Sequence, residues 1–316
     1  MNRMRIAAAA AVGVAAAAAF AAFALRRDGT TGDESEVGQL RREVAELRAK
    51  LGGDVRGLAS IDLPAKMDLL GRPFPIDKPE VREAVAYEIV LTVGKPTMPL
   101  LWMRRAPLLL PMVEARLRQR GLPDDLKYLS MIESDLRWSV ESPAGAQGPW
   151  QFMPATGKKY GLKIDKYLDE RMDPDRSTDA ALTYLADLQR QFGDWYLALA
   201  AYNYGENGVA KAIAEQGKRD YFGLYLPLET RRYLPRLAAA KLVYEQPEKY
   251  GLFRMAPLYV PKYRMVDVDA AKAGEDLKDV ARRRGLDYAL LRIHNPQLRG
   301  PALPAGRTRL RIPEGE

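Results

Sequence analysis

The chain has 316 residues, 47% apolar and 28% charged, with a formal net charge of +8; that is room for one or two folded domains and unlike collagen or a disordered chain. It holds no cysteine and a single histidine, which excludes thiol nucleophiles, disulfides and cysteine-ligated metals and leaves too few nitrogens for a zinc site. The Lys and Arg are scattered, without a helix-turn-helix or aromatic RNA-binding signature, so no nucleic-acid partner is expected.

At the N-terminus, Arg3 and Arg5 precede an apolar run from Ile6 to Leu25, closed by Arg26 and Arg27. At about 1.5 Å per residue such a helix spans a hydrocarbon core of about 30 Å. The run also offers small-residue cleavage points, Ala19-Phe20-Ala21 and Ala22-Phe23-Ala24. Residues 1–27 therefore read as a signal peptide or a signal-anchor. Their length and the abutting Arg27 favour the anchor. Either directs the chain to the periplasm or cell envelope, membrane-associated if uncleaved. Residues 28–78 read as a linker with a short coiled-coil-like helix, because Val37, Leu40, Val44, Leu47 and Leu51 step by three and four. The segment 37–51 fits a spacer helix or a dimerisation element equally well.

From Pro79 to Tyr250 the pattern is helical, with no run of period-two strands. Amphipathic stretches over 79–93 and near 106–120 stop at Gly94 and Gly121. Gly94-Lys95-Pro96-Thr97 superficially looks like a phosphate loop but lacks the upstream glycine, and Pro96 separates its lysine from its hydroxyl. Pro123, Asp124 and Asp125 predict a helix start. Along that helix Leu122, Leu126, Leu129 and Glu133 step by four, three and four, which places a carboxyl on a leucine stripe. There it is neutral, paired or at the rim of a cleft. Desolvation and a nearby helix C-terminus would both raise its pKa, as a general acid requires. The alternative from spacing alone is a solvated Glu133 at a fraying helix end.

Ser139 to Pro154 is unlike a helix: Pro143, Gly145, Gly148 and Pro149 force an irregular path, while Trp150, Phe152 and Met153 call for burial. Helix signals resume with Ser177 or Thr178 as cap and Ala181, Leu185, Leu188 and Phe192 as buried stripe. Another helix follows Asp194, with Trp195, Leu199 and Tyr202 on one face and a stop at Gly205. Glu229 and Tyr233 share a helix face; by default such a tyrosine is core packing with a satisfied hydroxyl.

Leu-Ser-Met-Ile-Glu133-Ser134, then Ser142-Pro-Ala-Gly-Ala-Gln-Gly-Pro-Trp-Gln151-Phe-Met153-Pro, Ala-Ala-Tyr202-Asn203 and Glu229-Thr-Arg-Arg-Tyr233 together closely resemble the lytic transglycosylase family. Asp169-Glu170-Arg171, Asp173-Pro174 and Phe-Gly-Asp194-Trp195 bring the likeness nearest to its membrane-bound murein transglycosylase D branch. The resemblance covers roughly residues 80–250 and implies a mainly α, lysozyme-like domain over 121–250, preceded by a helical extension over 79–120. It implies Glu133 as catalytic acid/base and Ser134, Ser142, Gln151, Met153, Tyr202, Asn203 and Glu229 as substrate-binding. The substrate would be peptidoglycan glycan strands, cut between N-acetylmuramic acid and N-acetylglucosamine to leave a 1,6-anhydro end. No metal or organic cofactor is implied. Tyr204 departs from the family, which usually has alanine there. The alternatives are a hydrolase on the same fold, needing a water-activating carboxylate among Asp135, Glu141 and Glu206, or a wall-binding scaffold.

Beyond Tyr263 the period changes. Arg264–Val268 and Arg309–Pro313 read as strands flanking helices around 275–284 and 287–294, a small α+β module (βααβ) over 251–316. Gly274-Glu-Asp-Leu, Leu-Arg-Ile-His294-Asn295-Pro296 and Leu-Arg-Ile-Pro313 are similar to a lysin motif, a glycan-binding module, whose polar loop is altered here to Ala-Ala-Lys-Ala-Gly. Glycan binding and packing alone both remain open for it. His294 reads as a surface or structural residue, since no Gly-x-Ser-x-Gly turn offers it a nucleophile.

Overall fold

The computed structural model describes residues 61–256, 262–270 and 273–313. The apolar N-terminal run and the heptad segment 37–51 lie outside them. The chain divides into two compact units, one holding the residues up to Pro99 with Ala238–Arg254, the other Leu100–Leu237 with Met255–Glu316.

In the first unit a hairpin, β1 (Met67–Leu69) and β2 (Arg72–Phe74), turns at Leu70-Gly71, both at positive φ. This stretch was expected to be linker. Its turn has Gly71 but puts leucine, not Asn, Asp or Gly, at the first left-handed position, and its strands are too short to alternate. Leu63, Leu69, Leu70, Phe74 and Ile76 are buried, and Arg82 donates to the carbonyls of Leu63 and Pro64 at 2.9 and 3.1 Å. Helix α1 (Pro79–Val93) begins on its proline and ends at Gly94, as expected, and buries Val81, Val85, Ile89 and Val93.

Helix α2 (Thr97–Gln119) starts well before the expected 106, because Pro107 and Pro111 lie inside it and hid its first turns. The expected helix from Pro123 is a 3-10 turn, Asp124–Tyr128, followed by the short α3 (Leu129–Ser134). After the irregular segment come α4 (Pro154–Lys159), α5 (Pro174–Phe192), α6 (Trp195–Tyr204), α7 (Glu206–Gln216) and α8 (Leu228–Glu245). Helix α5 is capped by Asp173, which accepts from the backbone N–H of Asp175 and Arg176, and not by Ser177 or Thr178. Both of those are buried, and Ser177 bonds back to the Asp173 carbonyl at 2.6 Å. Helix α6 has the expected Asp194 cap. It is buried on nearly all sides from Tyr196 to Ala201, not on one stripe, and Trp195 is only half-buried.

The C-terminal module has the expected order. Strands β3 (Tyr263–Ala270) and β6 (Gly306–Pro313) pair antiparallel around α9 (Leu277–Arg283) and α10 (Tyr288–His294), with a further small pair, β4 (Glu275–Asp276) and β5 (Ala302–Leu303). Its core gathers Val268, Leu277, Leu291, Leu303 and Leu310. His294 Nδ1 lies 3.0 Å from the Tyr263 hydroxyl, in keeping with a structural role.

Candidate active site

Glu133 stands one residue from the end of α3, because the next two residues, Asp135 and Leu136, turn left-handed at φ 54° and 60°. Leu126 and Leu129 behind it are fully buried. Glu133 as a whole residue is half-buried, and the pKa of its carboxyl is pushed up to about 7. Loss of water is the main cause; a hydrogen bond from Tyr233 and the charge of Arg236 oppose it, and the charge of Glu229 adds to it. The Tyr233 hydroxyl donates to Glu133 Oε1. Burial and the neighbouring Glu133 carboxylate hold the phenols of Tyr233 and Tyr202 far above the ordinary tyrosine value, so both stay protonated and able to donate.

The segment 139–153 is pinned at one point each by α3, α6 and α5. Ser134 donates to the carbonyls of Ser130 and Pro149 at 2.9 and 3.0 Å. Tyr202 donates to the Trp150 carbonyl at 2.6 Å, and the Trp150 indole donates to Thr178 at 2.9 Å. From the far side Arg171, buried and ion-paired with Asp169 at 2.7 Å, donates to the carbonyls of Gly145 and Phe152 and to Gln147 Oε1 at 2.7, 2.9 and 2.9 Å. Gly148, at φ 81°, must be glycine: a Cβ would stand 1.8 Å from the Arg171 carbonyl oxygen. The loop is thus a fixed shelf made of breakers on the outside and hydrogen bonds within.

The expected substrate-binding residues divide on this shelf. Ser134 is buried with its hydroxyl turned to backbone carbonyls; it holds the loop and does not face a cleft. Ser142 is half-buried, its oxygen accepting the Ala146 N–H at 3.0 Å. Gln151 sits at φ 48°, its amide nitrogen folded onto the Gly148 carbonyl at 2.9 Å. Met153, expected to want burial, is 44% exposed. Tyr202 lies beside Glu133 and stacks at 5.4 Å from Tyr184. Asn203 accepts from the Thr230 hydroxyl at 2.8 Å, which ties α6 to α8. Glu229 is exposed at the start of α8 yet near enough for its charge to act on Glu133. Tyr204, 46% exposed, lays its ring where a side chain on Gly208 would be.

Two further groups act on Glu133, Tyr233 through a hydrogen bond and Arg236 through its charge. Tyr233 was read as core, and it is buried, but its hydroxyl serves Glu133. Arg236 follows three residues later on the same helix face, the spacing that would have found both.

The transglycosylase SLT domain family matches residues 111–224, a span that holds Glu133, the pinned loop and the Tyr202-Asn203 pair. The match is to about a third of the chain, and over that stretch the chain is similar to an SLT domain. The membrane-bound lytic murein transglycosylases D of Escherichia coli K12 and of the O6:H1 strain CFT073 are each 34% identical to it over 198 residues. That stretch is 61% of this chain and 43% of the relative, so the chain spans less than half the length of these two relatives. An inactive mutant of the lytic transglycosylase Slt from Pseudomonas aeruginosa aligns with a TM-score of 0.35 and 21% identity, over 74% of this chain and 36% of the other. Tyr233 and Arg236 fall outside the matched SLT span, on the helix that follows it.

Proposed function

We propose that this chain is a peptidoglycan lytic transglycosylase that cuts the β-1,4 bond between N-acetylmuramic acid and N-acetylglucosamine and closes a 1,6-anhydro ring, in remodelling of the cell wall. The observation that carries the reading is the Glu133 carboxyl, held near a pKa of about 7 under a donating tyrosine. A group so poised is protonated often enough at neutral pH to give a proton and acidic enough to take one back. Protonated Glu133 gives its proton to the glycosidic oxygen as the bond to the muramic acid C1 breaks. The substrate's acetamide oxygen supports the cationic carbon. The ionised carboxylate then takes the proton of the muramic acid C6 hydroxyl as that oxygen bonds to C1, which restores Glu133 and consumes no water. Ser142 would orient the acetamide: its bond to Ala146 uses a lone pair and leaves the hydroxyl proton to donate. Gln151, Met153, Tyr202, Asn203 and Glu229 would line the glycan subsites.

A hydrolase would need a second carboxylate free to activate water. Asp135 accepts from the Trp102 indole at 2.9 Å, and Glu206 binds Tyr184 and Lys159 at 3.1 and 3.3 Å. Glu141 is exposed, in an isolated β-bridge with Gln147. The commitments of Asp135 and Glu206 favour the substrate-assisted route. Mass spectrometry of digested peptidoglycan tests it: each new muramic acid end should be one water lighter than a reducing end, and reducing ends would refute the reading. We place the protein in the periplasm or cell envelope, with residues 1–27 as signal or anchor. None of the described helices is long and apolar enough to cross a membrane.

A further inference from the structure

The C-terminal module is built into the same unit as the SLT-like stretch. Leu168, from the loop before α5, is a member of the module's hydrophobic core, and Tyr167 packs against the same core. Leu168 forms a β-bridge with Leu298; beside it the Asp169 N–H donates to the Gln297 carbonyl at 2.8 Å and the Arg299 N–H to the Tyr167 carbonyl at 2.9 Å. On strand β6 the nearly buried Arg311 donates to Asp173 at 3.1 Å and to Asp175, with its guanidinium over the Trp138 ring at 5.6 Å. Buried charges of this kind are tolerated only while both partners are in place. Undocking would break the ion pairs of Arg311 with Asp173 and Asp175 and expose Leu168 to water. The contact is therefore that of one body and not of a module on a tether.

The contact continues toward the site. Asp169 is fully buried, takes the bidentate pair from Arg171 and has Arg299 of the module 3.6 Å from its second oxygen. Arg171 in turn grips the loop at Gly145, Gln147 and Phe152. We infer that the C-terminal module is a brace for the catalytic loop: docked by Arg311, it fixes Asp169, and through Arg171 it fixes the shelf that presents Ser142 and Gln151. Arg299 and Arg311 are then positioning residues for the reaction although neither touches substrate. The inference rests on the reading of Glu133 given above only for its effect on turnover.

Hydrogen–deuterium exchange on the full chain tests it, with the wild type beside Arg311→Ala and Arg311→Lys. In Arg311→Ala the amides of 145–152 should exchange about tenfold faster or more, together with those of the docked module, since both belong to one cooperative unit. Turnover number on purified peptidoglycan should fall by about tenfold with KM unchanged, as expected when a remote change misplaces reacting groups. Arg311→Lys keeps one charge and should fall between. The inference is overturned if segment 263–313 loosens, or melts outright, while 145–152 stays as protected as in the wild type. It is overturned equally if neither segment responds, because Arg311 would then not be what docks the module. The exchange measurement needs no turnover, so a wild type that released only reducing ends would refute the proposed reaction and leave the brace standing.

Discussion

Glu133→Gln should make the protein inactive and, at neutral and alkaline pH, more stable. Folding moves this carboxyl into a place where its pKa rises from 4.5 to about 7. The folded state thus binds the proton more tightly than the unfolded chain, and between those values stability falls as pH rises. Each tenfold change in proton affinity is worth about 1.4 kcal/mol, so an ionised Glu133 costs the fold about 3 kcal/mol above pH 7. Against a total stability of about 5–15 kcal/mol that is a large share. Glutamine cannot ionise, and its carbonyl oxygen still accepts from the Tyr233 hydroxyl. The variant should therefore match the wild type below pH 4.5, gain steadily above it and level off about 3 kcal/mol more stable beyond pH 7. Urea unfolding at a series of pH values measures the difference directly, because every other titrating group is common to both proteins. A pH-independent difference, or a wild type that is the more stable at pH 8, would refute the account of Glu133. Turnover of peptidoglycan by the variant at the wild-type rate would separately sink its role as acid and base.

Tyr233→Phe removes the hydrogen bond that holds the Glu133 pKa down, so the alkaline limb of the pH–rate profile should move up by about one pH unit. The turnover number should drop as well, since the carboxyl loses its orienting partner; a limb that shifts toward acid would count against the assignment. Gly148→Ala should destabilise by about 3 kcal/mol or more, because the new methyl overlaps the Arg171 carbonyl oxygen. Gly145→Ala is the matched control: its φ is 84° but no atom lies within 4 Å of the Cβ position, so only about 1 kcal/mol is expected. Equal losses in the two unfolding curves would mean that backbone angle, and not overlap, decides at Gly148.

What could be read in the sequence was what is decided locally. Gly94 ends α1 and Asp194 caps α6 through contacts within a turn. The four-three-four spacing drew attention to Glu133 beside Leu126 and Leu129, although the segment folds as a 3-10 turn followed by a short helix and not as one helical stripe. Ser177 and Thr178 compete with Asp173 because all three are good caps by type, although Pro174 at the first helical position marks Asp173 locally. The hairpin at 67–74 escaped because three-residue strands carry no readable period. The grip of Arg171 on the loop spans 19 to 26 residues of sequence, and nothing in the local composition of Asp169-Glu-Arg announces what it will hold. Local spacing thus marked Glu133 as an unusual carboxyl and left a solvated reading beside it; the shelf around it is a tertiary product.

The abrupt end of α3 shows how closely the two are linked. Two consecutive non-glycine residues in the left-handed region cost about 1–2 kcal/mol each, and Leu136 is a buried, bulky side chain for which that conformation is rare. Something must hold them. Asp135 Oδ1 takes the Trp102 indole N–H at 2.9 Å, Arg105 donates to the Asp135 carbonyl at 3.0 Å, and the Leu136 N–H reaches the Ser130 carbonyl at 3.0 Å. The side chain of Asp135 is accordingly structural, and its charge is incidental. Asp135→Asn keeps the oxygen for Trp102 and tolerates the left-handed backbone; it loses a partly exposed pair with Arg137 at 3.7 Å and the attraction of its charge for Arg105. It should alter stability by no more than about 0.5 kcal/mol and leave turnover near wild type. Asp135→Ala strands the Trp102 N–H and should cost about 2–4 kcal/mol. Unfolding curves and anhydro-product release for the pair decide the matter. An Asp135→Asn enzyme that folds normally but releases no product would mean that the aspartate charge takes part in the chemistry, and the single-carboxyl mechanism would fall with it.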